Sequence, residues 1–404
     1  MRDNGILKRP FQRRGVIRFA AGTMTAGLTL GATGAAAKTG ADRPTAGGAK
    51  GRKPLIIDAL GGISNVNLRM LPEGKSGDPA ELDKGIDARA LDDVHASGVS
   101  AVNITIGYVA GEMEPFEHSV REVGQWDALI RRKSGHLTKV LTAQDIRDAH
   151  ISGKTGVILG FQNAAMMGDD ASRVEIFANL GVRVIQLTYN IRNQIGDGSM
   201  VPENRGLTEF GREVVAQLNA NNILVDLSHS GERTCLDALA ASKVPIAITH
   251  SGCRAVTDLP RNKSDQELKM LADKGGVAGI YYMPFLATGR QALAADLVAH
   301  MEHAINVCGE DHVGIGSDGG VSAVDDMPAY RAMIRKEVAA RRAAGIGAKG
   351  ETADIVPMLP DLQGPDKYWK LADMLEARGH KAARIDKILG GNFLRLMDDV
   401  WTGA

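Results

Sequence analysis

Residues 223–250, ILVDLSHSGERTCLDALAASKVPIAITH, place two histidines where metal chemistry is done. His229 and His250 each follow a short apolar run, and the stretch between them carries Cys235, Leu236 and Leu239 at helical spacing. The pattern predicts a strand, a helix and a second parallel strand, which sets both imidazoles on one rim of a sheet. Neutral imidazole is a common ligand of catalytic divalent metals, and the carboxyl rim of an α/β barrel is where active sites are built. A single histidine at a strand end is readily explained as a local cap; two on successive strands favour ligation.

Other strand-end residues extend this chemistry. Asp318 sits in Gly316-Ser317-Asp318-Gly319-Gly320, whose small neighbours leave it accessible. A carboxylate facing two such histidines can take the proton of a metal-activated water, although an aspartate there also caps turns. Arg261 follows Leu259-Pro260 in the loop beyond the second histidine. A guanidinium there is suited to gripping a substrate carboxylate. The remaining run ends contribute Asp58, Leu60, Gly62, Gln162, Asn163, Tyr189, Asn190, Arg192 and Tyr281.

These residues need elements to position them. Apolar runs predict strands at 54–60, 100–106, 156–161, 183–189, 223–228, 244–249, 276–281 and 312–317. Helical spacing falls between them at 88–97, 121–133, 143–152, 211–221, 265–274 and 291–307. Eight strands alternating with helices predict a (β/α)8 TIM barrel, with a doubly wound open sheet as the alternative. The charged stretch 324–352 reads as an inserted helical segment, either a solvated helix, a lid or an assembly element. Residues 367–400 read as two C-terminal helices on the barrel's outside, Gly390-Gly391-Asn392 starting the last.

Composition narrows the partners. Lysine plus arginine (48) equals aspartate plus glutamate (48) over 404 residues, so no global charge attracts nucleic acid or an anionic membrane, and a small-molecule substrate is expected. The three cysteines, at 235, 253 and 308, form no CxxC pair and are expected to be buried thiols. Residues 1–37 read as a twin-arginine-like export signal, with Arg13-Arg14 before a modest apolar run and Ala35-Ala36-Ala37 as the cleavage site. That predicts a periplasmic or secreted protein with no stable membrane span once the signal is removed. Residues 38–53 read as a linker and 54–404 as one catalytic domain. A homo-oligomer is left open.

Several motifs together resemble the membrane dipeptidase (renal dipeptidase) family: SH at 228–229, THS at 249–251, LPRN at 259–262, GGVAGI at 275–280, HVGIGSD at 312–318 and GNFLRLM at 391–397. GLTEFGREVV at 206–215 adds to it. The resemblance implies a (β/α)8 barrel with a two-zinc site that hydrolyses dipeptides. By position it implies His229 and His250 as the ligands of one zinc, Asp318 as the acid/base carboxylate and Arg261 as the grip on the substrate's carboxylate. The chain departs from the family where a first-strand His-x-Asp pair would hold the other zinc, having Leu60 and Gly62 instead. Gln162 replaces the bridging glutamate, and Tyr189 replaces a substrate-contacting histidine.

Leucine and glycine cannot ligate a cation, and a glutamine offers one neutral oxygen. The expectation is therefore one divalent metal per chain rather than two, zinc first among candidates, on His229 and His250 with Gln162 as a weak third donor. The expected reaction is hydrolysis of an amide bond in a dipeptide or dipeptide-like substrate, with Tyr189 and Asn190 at the substrate beside Arg261. Two alternatives stand beside it: a catalytically impaired binding or scaffold protein, and a mononuclear metalloenzyme acting on a non-peptide substrate.

Overall fold

Helix starts are fixed by short polar side chains. Asp87, Thr142, Thr208 and Ser264 each accept a hydrogen bond from the first helical turn, and Thr142–Asp145 and Ser264–Glu267 do so reciprocally. Such caps hold a helix to its start where the amphipathic pattern alone leaves the end loose. The computed structural model describes residues 53–70, 85–343, 349 and 351–402. The expected export signal lies outside these residues, as does the linker except for Lys53.

Nine parallel strands form the sheet: β1 Ile57–Gly61, β2 Ala101–Ile106, β3 Leu137–Lys139, β4 Thr155–Phe161, β5 Val182–Gln186, β6 Leu224–Asp226, β7 Ala247–Ser251, β8 Val277–Ile280 and β9 Val313–Ile315. Eight run in the order β1-β2-β4-β5-β6-β7-β8-β9, and β3 pairs with β4 off this path. Backbone bonds close the ring between its ends: Asp318 N–H donates to the Leu60 carbonyl at 2.8 Å and Gly62 N–H to that of Gly319 at 3.0 Å. The expected (β/α)8 barrel is thus the fold. The extra strand β3, Leu-Thr-Lys, is not anticipated because it holds a single apolar residue and so makes no apolar run.

The helices are α1 Ala88–Ser97, α2 Pro115–Arg132, α3 Ala143–Ser152, α4 Arg173–Asn179, α5 Glu209–Ala220, α6 Glu232–Ala241, α7 Asp265–Asp273, α8 Ala294–Cys308, α9 Met327–Ala343, α10 Lys367–Ala377, α11 Ala382–Asp386 and α12 Asn392–Val400. The expected pair of C-terminal helices is three, with one π turn (Lys387–Gly391) leading into α12. Nor does α12 lie on the barrel's outside. Phe393, Leu396, Met397 and Val400 cluster with Ile57, Ala101, Leu224, Ala247 and Val277, the first residues of their strands. The helix therefore plugs the amino end of the barrel, and the carboxyl end is free for a site.

The insertion is more than a solvated helix. Tyr330, Ile334 and Val338 of α9 form a small core with Val356, against which Val66 and Met70 of the β1 loop pack. Ion pairs from Arg69 to Glu337 and from Arg89 to Asp325 tie it to the β1 side of the rim.

Candidate active site

At the carboxyl ends of β6 and β7, the two histidines meet. Their ring centroids are 5.0 Å apart, and both rings are buried. Each imidazole has one nitrogen taken by a neighbour. Nδ1 of His229 donates to Oδ1 of Asn190 at 2.7 Å. Thr249 Oγ1 donates its proton to Oδ2 of Asp226 at 2.7 Å and so accepts from His250 Nδ1 at 2.9 Å. Both imidazoles are thereby set in the tautomer whose Nε2 carries the lone pair. Burial pushes both well below the usual histidine range, and the positive charge of Arg261 adds to it, so both rings are neutral.

Asp226 is the base of this arrangement. Its carboxylate accepts from the backbone N–H groups of Ser228 and Thr249 and from both hydroxyls. Sequence reading passed over it as part of an apolar run. Its signal was a lone carboxylate two residues before Ser228, on the inward face of a buried strand.

The expected metal can be tested against these donors. Nε2 of His250 is buried and has no hydrogen-bond partner, which a single cation between the two rings would satisfy. Gln162 donates its amide nitrogen to Thr105 Oγ1 at 2.7 Å, which leaves Oε1 as the atom to face a cation. One divalent ion therefore fits the residues present. A second does not, since Leu60 and Gly62 hold the seam to Gly319 and Asp318 through backbone groups alone. Among the described residues, no three His, Cys, Asp or Glu side chains gather around a cation site.

Asp58 does not supply the missing ligand. Its carboxylate accepts from Ser317 N–H at 2.7 Å and from the Tyr368 hydroxyl at 2.6 Å, and Nζ of Lys367 lies 3.7 Å away. Lys367 and Tyr368 arrive from α10, so this buried network joins β1 to the last part of the chain. The same helix returns to the rim, where Lys367 also donates to Ser317 Oγ at 2.9 Å.

Asp318 stands at the end of β9 with φ +54°, a left-handed backbone that few non-glycine residues adopt. Burial raises its carboxyl to about 7, Arg261 pulls it back and Asp58 adds to the rise. The group is thus poised to exchange a proton near neutrality. Arg261 is 1% exposed. One Nη donates to the Ser228 carbonyl, and its guanidinium lies 5.7 Å from the centroid of Tyr281. No carboxylate forms an ion pair with it among the described residues. Tyr189 stacks on His229 with centroids 4.2 Å apart, and burial pushes its phenol up to about 12.

The expected substrate contact Asn190 and the strand-end residue Arg192 are both engaged within the protein. Asn190 Oδ1 accepts from His229, whose ring it orients. Arg192 is paired with the buried Asp197. Cys253 is held by His300, its N–H donating to Nδ1 at 2.9 Å, and all three cysteines are buried thiols.

Comparison with known proteins places the chain in a family and agrees with the barrel fold. Residues 104–345 match the family model "Membrane dipeptidase (Peptidase family M19)". A crystal structure of an amidohydrolase from Pseudomonas aeruginosa superposes with TM-score 0.70 at 30% identity, covering 86% of this chain and 97% of that one. An uncharacterized protein in the pqqA 5′ region of Klebsiella pneumoniae is 29% identical over 68% of this chain and 92% of its own length. The dipeptidase tcpJ of Claviceps purpurea is 28% identical over 70% of this chain, which spans 60% of that protein's length.

Proposed function

The chain belongs to the membrane dipeptidase family, and on that premise we propose that it hydrolyses an amide bond whose leaving amine belongs to an amino acid with a free carboxylate. Arg261 carries the reading. A guanidinium so deeply buried needs a counter-charge, since an unpaired buried ion is destabilised by several kcal/mol. A substrate carboxylate supplies it, in the bidentate geometry that arginine favours.

His229 and His250 would hold one divalent ion, zinc by donor type, whose chemistry when bound is to lower the pKa of a water and polarise a carbonyl. Asp318 takes up the proton of the attacking water and returns it to the leaving amine, a task suited to a carboxyl near 7. Tyr189, held protonated by burial, donates to the oxygen on which negative charge develops. Asn190 and Thr249 keep the two rings aimed.

Metal analysis of the purified protein, run beside turnover on L-D and L-L dipeptides, tests this. About one zinc per chain, lost in His229→Ala together with cleavage, is expected. Protein that neither holds nor is activated by a divalent metal would overturn it. The binding-protein reading, favoured by Leu60 and Gly62, then takes its place. We also propose, from residues 1–37, that the protein is exported; cell fractionation that finds it only in the cytoplasm refutes this.

A further inference from the structure

Beside Asp318, on the side of the rim away from the histidines, lies a cavity of about 260 Å³. Ser64 and Val66 line it from the β1 loop, Tyr282 and Met283 from the end of β8, and Asp318 to Gly320 from the end of β9. The outer wall is Tyr330 of α9 with Pro357, Met358, Leu359 and Leu362, and these last four lie beyond the residues that match the family model. That wall is apolar. The charged residues lining the cavity are Arg69, Lys367 and Asp318. Arg69 is paired with Glu337 and Lys367 with Asp58.

A dipeptide held by Arg261 with its scissile carbonyl at Asp318 would send its amino end into this cavity. The free ammonium would trade its hydration for an apolar wall, the hydroxyls of Ser64, Ser317 and Ser322, the Gln363 amide and one carboxylate, and that carboxylate is the one needed to carry the proton. An uncharged chain meets none of these penalties, because apolar surface is what the wall offers.

We propose that the cavity receives the acyl chain of an N-acylated amino acid, so that the bond cleaved joins a short fatty acyl group to an amino acid. This rests on the hydrolase reading above and names its substrate class. Water's oxygen forms the new bond to the acyl carbonyl carbon and the C–N bond breaks. Both of the water's protons end on the leaving amine, leaving a fatty acid carboxylate and a free amino acid with its ammonium group. A volume just below the 300–1,000 Å³ typical of ligand pockets suits a chain of about six carbons.

The test compares kcat/KM of the whole protein on N-hexanoylalanine, N-acetylalanine and alanylalanine, each offered with D and L alanine at the carboxyl end. The hexanoyl compound should exceed both others at least tenfold. Met358→Trp, which fills the cavity from its partly exposed wall, should lower hexanoyl turnover at least tenfold and leave acetyl turnover within twofold. A melting curve checks that the variant folds, and Met358→Phe replaces it if it does not. Equal or better cleavage of alanylalanine overturns the proposal, as does a loss that is equal for acetyl and hexanoyl. If nothing is cleaved, the hydrolase reading fails, and calorimetric titration with N-hexanoylalanine decides the cavity separately. Binding that the folded Met358 variant abolishes supports an acyl site; no binding overturns it.

Discussion

On the β6–β7 side of the rim, each histidine has its Nδ1 bonded to a neighbour and its Nε2 aimed at shared space, over the buried carboxylate of Asp226. On the β1–β4 side, the corresponding positions are a leucine, a glycine and a glutamine, and the seam is held by backbone hydrogen bonds. One half-rim carries two neutral imidazoles with their orienting partners in place. The other serves to close the barrel. What separates them is the support beneath the side chains: hydrogen bonds of this kind fix the orientation of histidines that ligate metals.

The strongest way to break this contrast is to remove a ligand from the prepared half. His250→Ala should abolish metal retention and lower kcat at least a thousandfold, read by metal content and turnover; an unchanged metal content would show the cation is held elsewhere.

Asp318→Asn should lower kcat by about a hundredfold to a thousandfold, in the range of a general acid–base group. Its stability should move the other way. A folded-state carboxyl at about 7, against an ordinary value near 4, means that the native protein holds this proton after the unfolded chain has released it. Metal-stripped protein therefore loses stability as pH rises from about 4 to about 7, and Asp318→Asn removes that loss. At pH 8, without metal, the variant should melt roughly 1–3 °C higher than the parent. An unchanged pH dependence of melting would refute the assignment.

Asn190→Ala should weaken metal binding about 10- to 100-fold with little change in fold, because it frees the His229 ring without removing a ligand. Competition with a chelator reads this, and an unchanged affinity would mean the ring is fixed by stacking on Tyr189 alone. The smallest effect is expected on the other half. Gln162→Glu should tighten the single metal by about tenfold without adding a second, since Leu60 and Gly62 still contribute no donor. Two metals per chain in that variant would show that the β1 side is better prepared than its residues suggest.

Much of this was legible in the sequence because strands of a parallel barrel end where their chemistry begins. The apolar runs before His229, His250 and Asp318 fixed both the strand and the direction of the residue that follows. What was not legible depends on long-range contacts. Asp58 meets Lys367 and Tyr368 only when residues some 310 positions apart are brought together. Asn190 and Tyr189 are adjacent in sequence, yet one bonds the edge of His229 and the other covers its face, a distinction that no periodicity carries. The cavity wall from Pro357 to Leu362 follows an irregular path with neither helical nor strand spacing.

The position of α12 has a consequence for the order in which the protein is made. Its Phe393 fills the space that Gly314 leaves open at the start of β9, and its apolar face covers the first residues of the barrel strands. The amino end of the ring thus stays uncovered until α12 has been synthesised. From Ile315 to Val400 are 85 residues, so at about 5–20 residues per second the completed set of strands waits roughly 4–17 seconds for its cover. In that interval every strand is present and the barrel floor is still wet.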